Sequence, residues 1–168
     1  MARKTVPIGA VAVRPPEGEE IDLGILKDVI GFRIRRIQNH LSRSFAERIH
    51  RKDIKPGLFS ALALISANPG ISQTTLAREI GFDKATVVAL LDALEHLTWA
   101  ERQRAPEDRR RHALYVTKTG QKALSELMVQ AVANEANIRA ALSKEELAAL
   151  FVTLDKLYET CFADEVLS

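Results

Sequence analysis

Asp83-Lys84-Ala85-Thr86-Val87-Val88 and Pro106-Glu107-Asp108-Arg109-Arg110-Arg111 are the two stretches of this 168-residue chain best suited to chemistry on a polyanion. Asp83 reads as a helix cap, which presents Lys84, Ala85, Thr86 and Val88 on the first exposed turns. Lys84 can reach a guanine edge or a phosphate. Thr86 offers a hydroxyl to phosphate and a methyl to thymine, and Ala85 and Val88 can touch thymine methyl groups. In the second stretch, alternate residues of a hairpin share a face, so the three arginines cannot all serve one role. Asp108 and Arg110 stand two apart and can pair, which would aim Arg110 at a narrow, A·T-rich minor groove. Arg109 or Arg111 then takes phosphates. The plain alternatives are a bare helix surface and a solvated charge run.

The surrounding pattern decides between these. Leu76, Ile80, Phe82, Val87 and Leu90 are spaced to join two short helices, with Ala77 small at their crossing and Gly81 where the turn needs φ > 0. Strands near Ala100–Arg104 and Ala113–Thr117 flank the basic hairpin. The whole reads as a winged helix-turn-helix, whose dominant use is reading duplex DNA.

The remaining elements follow from periodicity and caps. Asp22 is placed to cap a long first helix with the stripe Leu23, Leu26, Ile30, Ile34, Ile37, Leu41 and Phe45. Pro56 opens a second helix through Ala67, and Ile71 forms a minimal strand. Helix three spans about Ser72 to Ile80, and helix four runs from Asp83 to near Leu97. A long helix runs from Thr119 to about Arg139. Ser143 caps the last, striped by Leu147, Leu150, Phe151, Leu154, Leu157, Tyr158 and Cys161. The fold class is mainly α with a small β-wing. Residues 1–21 form a flexible arm, 22–55 a first dimerisation helix, 56–118 the winged helix-turn-helix domain, and 119–168 C-terminal dimerisation helices. The apolar faces of the terminal helices are most simply buried against each other and a second copy, which predicts a two-fold homodimer.

Composition sets the outer bounds. Net charge is only +2, but Lys27–Lys55 carries nine basic residues against three acids, and Glu101–Lys122 seven against three. From Leu124 to Ser168 the balance inverts to three against eight, so a polyanion-facing surface is confined to one part of the chain. The single cysteine, Cys161, excludes an internal disulfide and fits a reducing compartment. The apolar run Ile8–Val13 is too short for a signal peptide or membrane span, which predicts a soluble, cytoplasmic protein with no membrane partner. His50, His96 and His112 show no metal spacing, and no nucleophile–base pair is evident; no cofactor and no enzymatic activity are expected.

Asp108-Arg109-Arg110-Arg111-His112-Ala113-Leu114-Tyr115-Val116-Thr117-Lys118-Thr119-Gly120 resembles the wing signature of the MarR family of bacterial transcription regulators: Asp-x-Arg, a strand, then Leu-Thr-x-x-Gly, with Val116 in the leucine place. Leu76–Glu95 is similar to that family's helix-turn-helix, and the helix order matches over about residues 23–163. The resemblance implies a dimeric repressor on a pseudo-palindromic operator in double-stranded DNA, released by a small phenolic or aromatic effector. It makes Arg110 the minor-groove arginine and Asp108 its orienting partner. Two departures stand out. Ala89 and Ala93 replace basic residues common in the family, which implies fewer DNA contacts, and the turn after helix four, His96-Leu97-Thr98-Trp99, lacks the usual glycine. Trp99 reads as a plug between helix four and the wing.

Where the related proteins bind ligands, Arg33, Arg36, His40 and Arg43 share one sector of the first helix at about 100° per residue. They suit an aromatic acid or the phosphates of an acyl-CoA thioester, with Phe59 and Leu62 as apolar lining; the alternative is a solvated basic face along the DNA backbone. Related peroxide sensors carry their cysteine at the start of the first helix. Cys161, on the last, is expected to be buried and inert. A peroxide-responsive repressor and a winged-helix protein-interaction module without operator specificity stand as alternative functions.

Overall fold

The computed structural model describes residues 21–49, 54, 57–104 and 112–163. The predicted arm lies outside them apart from Ile21. By contacts the chain divides into two compact units, Met1–Gln38 and Asn39–Ser168.

In the first unit, Asp22 does not cap a long helix. Its Oδ1 accepts the Gly24 amide at 2.9 Å, and Gly24, at φ +52, opens a short 3-10 turn over Gly24–Asp28. The helix proper, α1 (Ile30–Ile49), starts only after the extended Val29 and continues into the second unit. A left-handed glycine cannot sit in the first turn of an α-helix, so the start moves downstream.

In the second unit, α2 (Leu58–Ala67) begins after Gly57 rather than at Pro56, which lies outside the described residues. Gly57 has φ +85, and a Cβ there would stand 2.4 Å from Cε2 of Phe82. The Phe82 ring therefore packs over this glycine and stays 36% exposed; it is not sealed between the helix-turn-helix elements as its type suggested.

Local capping explains the next helices. Ser72 accepts the Thr75 amide at 3.0 Å to start α3 (Gln73–Ile80), and Asp83 accepts the Thr86 amide at 3.0 Å to start α4 (Lys84–His96). Between them Gly81, at φ +73, donates to the Ala77 and Arg78 carbonyls, the turn that glycine was expected to make. Leu76, Val87, Leu90, Leu91 and Leu94 then close onto Leu58, Leu62 and Ile65 of α2 to form the core.

Strands β1 (Ile71–Ser72), β2 (Ala100–Arg104) and β3 (His112–Val116) form an antiparallel sheet in the order β1-β3-β2, with Leu114 opposite both Ile71 and Arg102. The helix α4 ends without glycine. Thr98 takes φ +59, its amide donating to Glu95 at 2.9 Å and that of Trp99 to Leu94 at 2.8 Å. These two bonds close a helix around a left-handed residue, a conformation costly for a β-branched side chain. Thr117 compensates. Its hydroxyl donates to the Thr98 carbonyl at 2.6 Å while its amide donates to that of Trp99 at 3.0 Å.

The same Thr117 caps α5 (Lys118–Asn134), accepting the Gly120 amide at 3.0 Å. A Cβ on Gly120 would lie 1.9 Å from the Trp99 carbonyl oxygen. This supplies the physical meaning of the Thr-x-x-Gly spacing. The predicted run to Arg139 breaks at Glu135, whose amide is shared between Ala131 and Val132 as the turn tightens; α6 (Ala136–Ala140) follows. Ser143 and Glu146 form a reciprocal capping box for α7 (Lys144–Phe162). Neither α1 nor α7 contains a buried residue.

Three outcomes follow. Gly120→Ala lowers unfolding free energy by about 2 kcal/mol or more, because backbone blocks the new methyl, whereas Thr98→Gly raises it by up to about 1 kcal/mol; urea titrations check both. Two hydrogen bonds from Thr86, hydroxyl then amide, hold the Asp83 carboxyl below its ordinary 3.8. A depressed folded-state value means this cap is intact at neutral pH and is lost as pH falls through that lower value. The Thr86 amide should thus lose exchange protection only below pH 3.8, with no such step in Asp83→Asn.

Candidate nucleic-acid interface

Along α4 the cap turns Lys84, Ala85, Val88 and Ala89 outward, all exposed, while Val87, Leu90, Leu91 and Leu94 anchor the opposite side. Thr86 differs from expectation. It is half-buried, and its hydroxyl donates to Asp83 Oδ2 at 2.6 Å. That proton is committed to the cap, so Thr86 supports the helix start instead of offering a donor to phosphate. Lys84 is the cation of this turn.

The root of the wing carries a feature the sequence reading missed. Arg102 on β2 bonds Asp92 and Glu95 of α4. Two acids three apart on a helix, with an arginine on the next strand, are a visible signal once the strand's register is known. The wing tip, with Asp108, Arg109, Arg110 and Arg111, lies outside the described residues, as does the side chain of Arg104.

The effector candidates divide between the two units. In the first, Arg33 Nε donates to the Lys27 carbonyl at 2.8 Å, and Arg36 lies 5.9 Å above the Phe32 ring. Both guanidinium groups thus have local partners. In the second, His40 and Arg43 are exposed, and the half-buried Phe59 ring stands 5.7 Å from that of Phe45. Leu62 is corrected. It is 0% exposed, a core residue with no surface for a ligand. Trp99 is buried, as its position implied, and helps line a cleft of about 190 Å³ with Arg48, Ile49, Ile54, Glu126, Leu127 and Gln130.

Cys161 is exposed, not buried, because the chain leaves the stripe of α7 largely uncovered: Phe151, Leu154 and Tyr158 all stand in the open. Among the described residues no group of three or more His, Cys, Asp or Glu could hold a metal ion, and no helix is long and apolar enough to cross a membrane.

Known proteins are similar to this chain in sequence and fold. A family profile described as MarR family matches residues 52–111. A putative transcriptional regulatory protein for the hcr operon of Thauera aromatica is 33% identical over 140 residues, covering 83% of this chain and 84% of that one. The transcriptional repressor CouR bound to a 23-mer DNA duplex is 32% identical, with a TM-score of 0.72 over 83% of this chain and 99% of its own. CouR bound to p-coumaroyl-CoA superposes with a TM-score of 0.70 at 30% identity, over 83% and 98% of the two chains. A mainly helical chain with a three-stranded wing, matched in sequence over most of its length to such regulators, belongs to the MarR family.

Proposed function

We propose that this protein is a homodimeric transcriptional repressor that binds a pseudo-palindromic operator and is released by a small anionic aromatic compound or its CoA thioester. The observation that carries the reading is α4 itself: its capped N-terminus turns Lys84, Ala85 and Val88 outward while its other side is locked into the core. A helix held this way can enter a major groove, with Arg110 of the wing reaching the minor groove beside it. The likeness to a repressor solved both on a DNA duplex and with p-coumaroyl-CoA supports both the DNA and the effector class.

Dimerisation is supported by apolar side chains that each unit leaves uncovered. Ile30, Ile34 and Ile37 on α1 are open, as are Leu150, Phe151, Leu154 and Tyr158 on α7. Surfaces of this kind mark association sites. A second copy also supplies the second recognition helix that a two-fold operator requires. For the effector, His40 and Arg43 with the Phe59 ring supply cation and aromatic surface in the Asn39–Ser168 unit; in the other, Arg33 and Arg36 can exchange their local partners for an anion. Release follows by linkage, from an effector that prefers a helix spacing mismatched to successive grooves.

Operator binding by purified protein tests this. Arg110→Ala should weaken it by about tenfold or more, whereas a protein-contact module would keep its partner. Adding p-coumaroyl-CoA or related aromatic acids should release the duplex, and Arg43→Ala should need about tenfold more effector. If Arg43→Ala weakens DNA binding with no effector present, the basic face serves the DNA backbone instead.

A further inference from the structure

Arg102 leaves only 18% of its side chain exposed. Its Nη2 donates to Asp92 Oδ1 at 2.8 Å and to the Val88 carbonyl at 3.4 Å. Its Nη1 pairs with Glu95 Oε2, and its backbone amide donates to Glu95 Oε1 at 3.0 Å. All four of these acceptor atoms lie on α4. Positions 88, 92 and 95 form one stripe, which begins with Ala85 at the end offered to DNA. One planar guanidinium therefore spans two helical turns and ties them to the first residues of the wing.

This geometry has mechanical and electrostatic results. Rotating the wing root about α4 would break all four bonds together, and a rigid fork resists that more than a flexible ammonium. Asp92 and Glu95 also continue the stripe of the base-facing residues. Unpaired, they would repel phosphates; against Arg102 they are partly neutralised.

We propose that Arg102 is a positioning residue for duplex recognition, holding recognition helix and wing root as one rigid body so that major- and minor-groove contacts keep a fixed spacing. The proposal rests on the DNA-binding reading above.

The decisive variant is Asp92→Asn/Glu95→Gln with Arg102 retained. It removes two negative charges beside the DNA, so bulk electrostatics alone would tighten binding to every duplex. A lost joint does the opposite for the operator. Expected is about tenfold weaker operator binding, with binding to a random duplex unchanged or tighter. Arg102→Lys, which keeps the charge but cannot span both acids, should lose operator discrimination similarly while its melting temperature stays near the parent's. A double variant that holds the operator as tightly as the parent, or more so, overturns the proposal. Hydrogen exchange at the Arg102 amide reads the joint without DNA. It should quicken in Glu95→Ala, and unchanged protection also overturns the proposal. If the parent binds no duplex while this amide still loses protection, the DNA-binding reading fails and Arg102 is a structural joint only.

Discussion

The carbonyl of Trp99 is the point on which the rest of the molecule turns. It accepts the Thr117 amide and, at 3.3 Å, the Thr117 hydroxyl, while Gly120 passes close enough that no side chain fits between. The recognition helix, the wing and the long helix α5 therefore meet at one backbone oxygen. A single hydrogen bond contributes modestly to stability. Here its value is geometric, since a shift of this oxygen would move three elements at once. The left-handed Thr98 persists because its neighbours over-determine it: a closed helix end on one side and the Thr117 hydroxyl on the other.

Much of this architecture was legible in the residues. Ser72, Asp83 and Ser143 announce helix starts by type and spacing, and Gly81 announces its turn; each reflects a local hydrogen-bonding need that tertiary context does not override. Strand β2 falls where expected for the same reason, bounded by the helix end and the basic hairpin. What escaped the reading is non-local or competes with a local signal. Asp22 has the right type for a cap, but Gly24 diverts the backbone first. Glu135 interrupts a helix in a stretch with no proline or glycine to mark it.

The candidate site divides along the same line. Lys84, Ala85 and Val88 stand outward because helical periodicity dictates it. The commitment of the Thr86 hydroxyl to Asp83 and the burial of Leu62 depend on which groups come into contact, and periodicity carries no such information. Arg102 shows the converse. Its signal, Asp92 and Glu95 three apart on the preceding helix, becomes readable only with the register of β2, because these partners come within reach only when the chain reverses through Thr98. An exposed Cys161 has a related origin: the apolar stripe is present, but among the described residues it is covered only in part, with Leu147 and Leu157 half-buried while Phe151 and Leu154 stay exposed.

Among the described residues the largest fully buried side chains belong to α2, α3, α4 and the sheet, α5 adds the buried Ala123 and Leu127, and α1 and α7 bury none. Cohesion is thus concentrated mid-sequence. The outer helices add only half-buried contacts, among them Phe45 and Ile49 of α1 against the core, and take further solidity from whatever covers their open faces. When that cover is another copy, mass action enters: the fraction of ordered outer helix, and the measured melting temperature, rise with total concentration and fall on dilution. A cell making only a few such molecules would set the firmness of those helices by how many it makes.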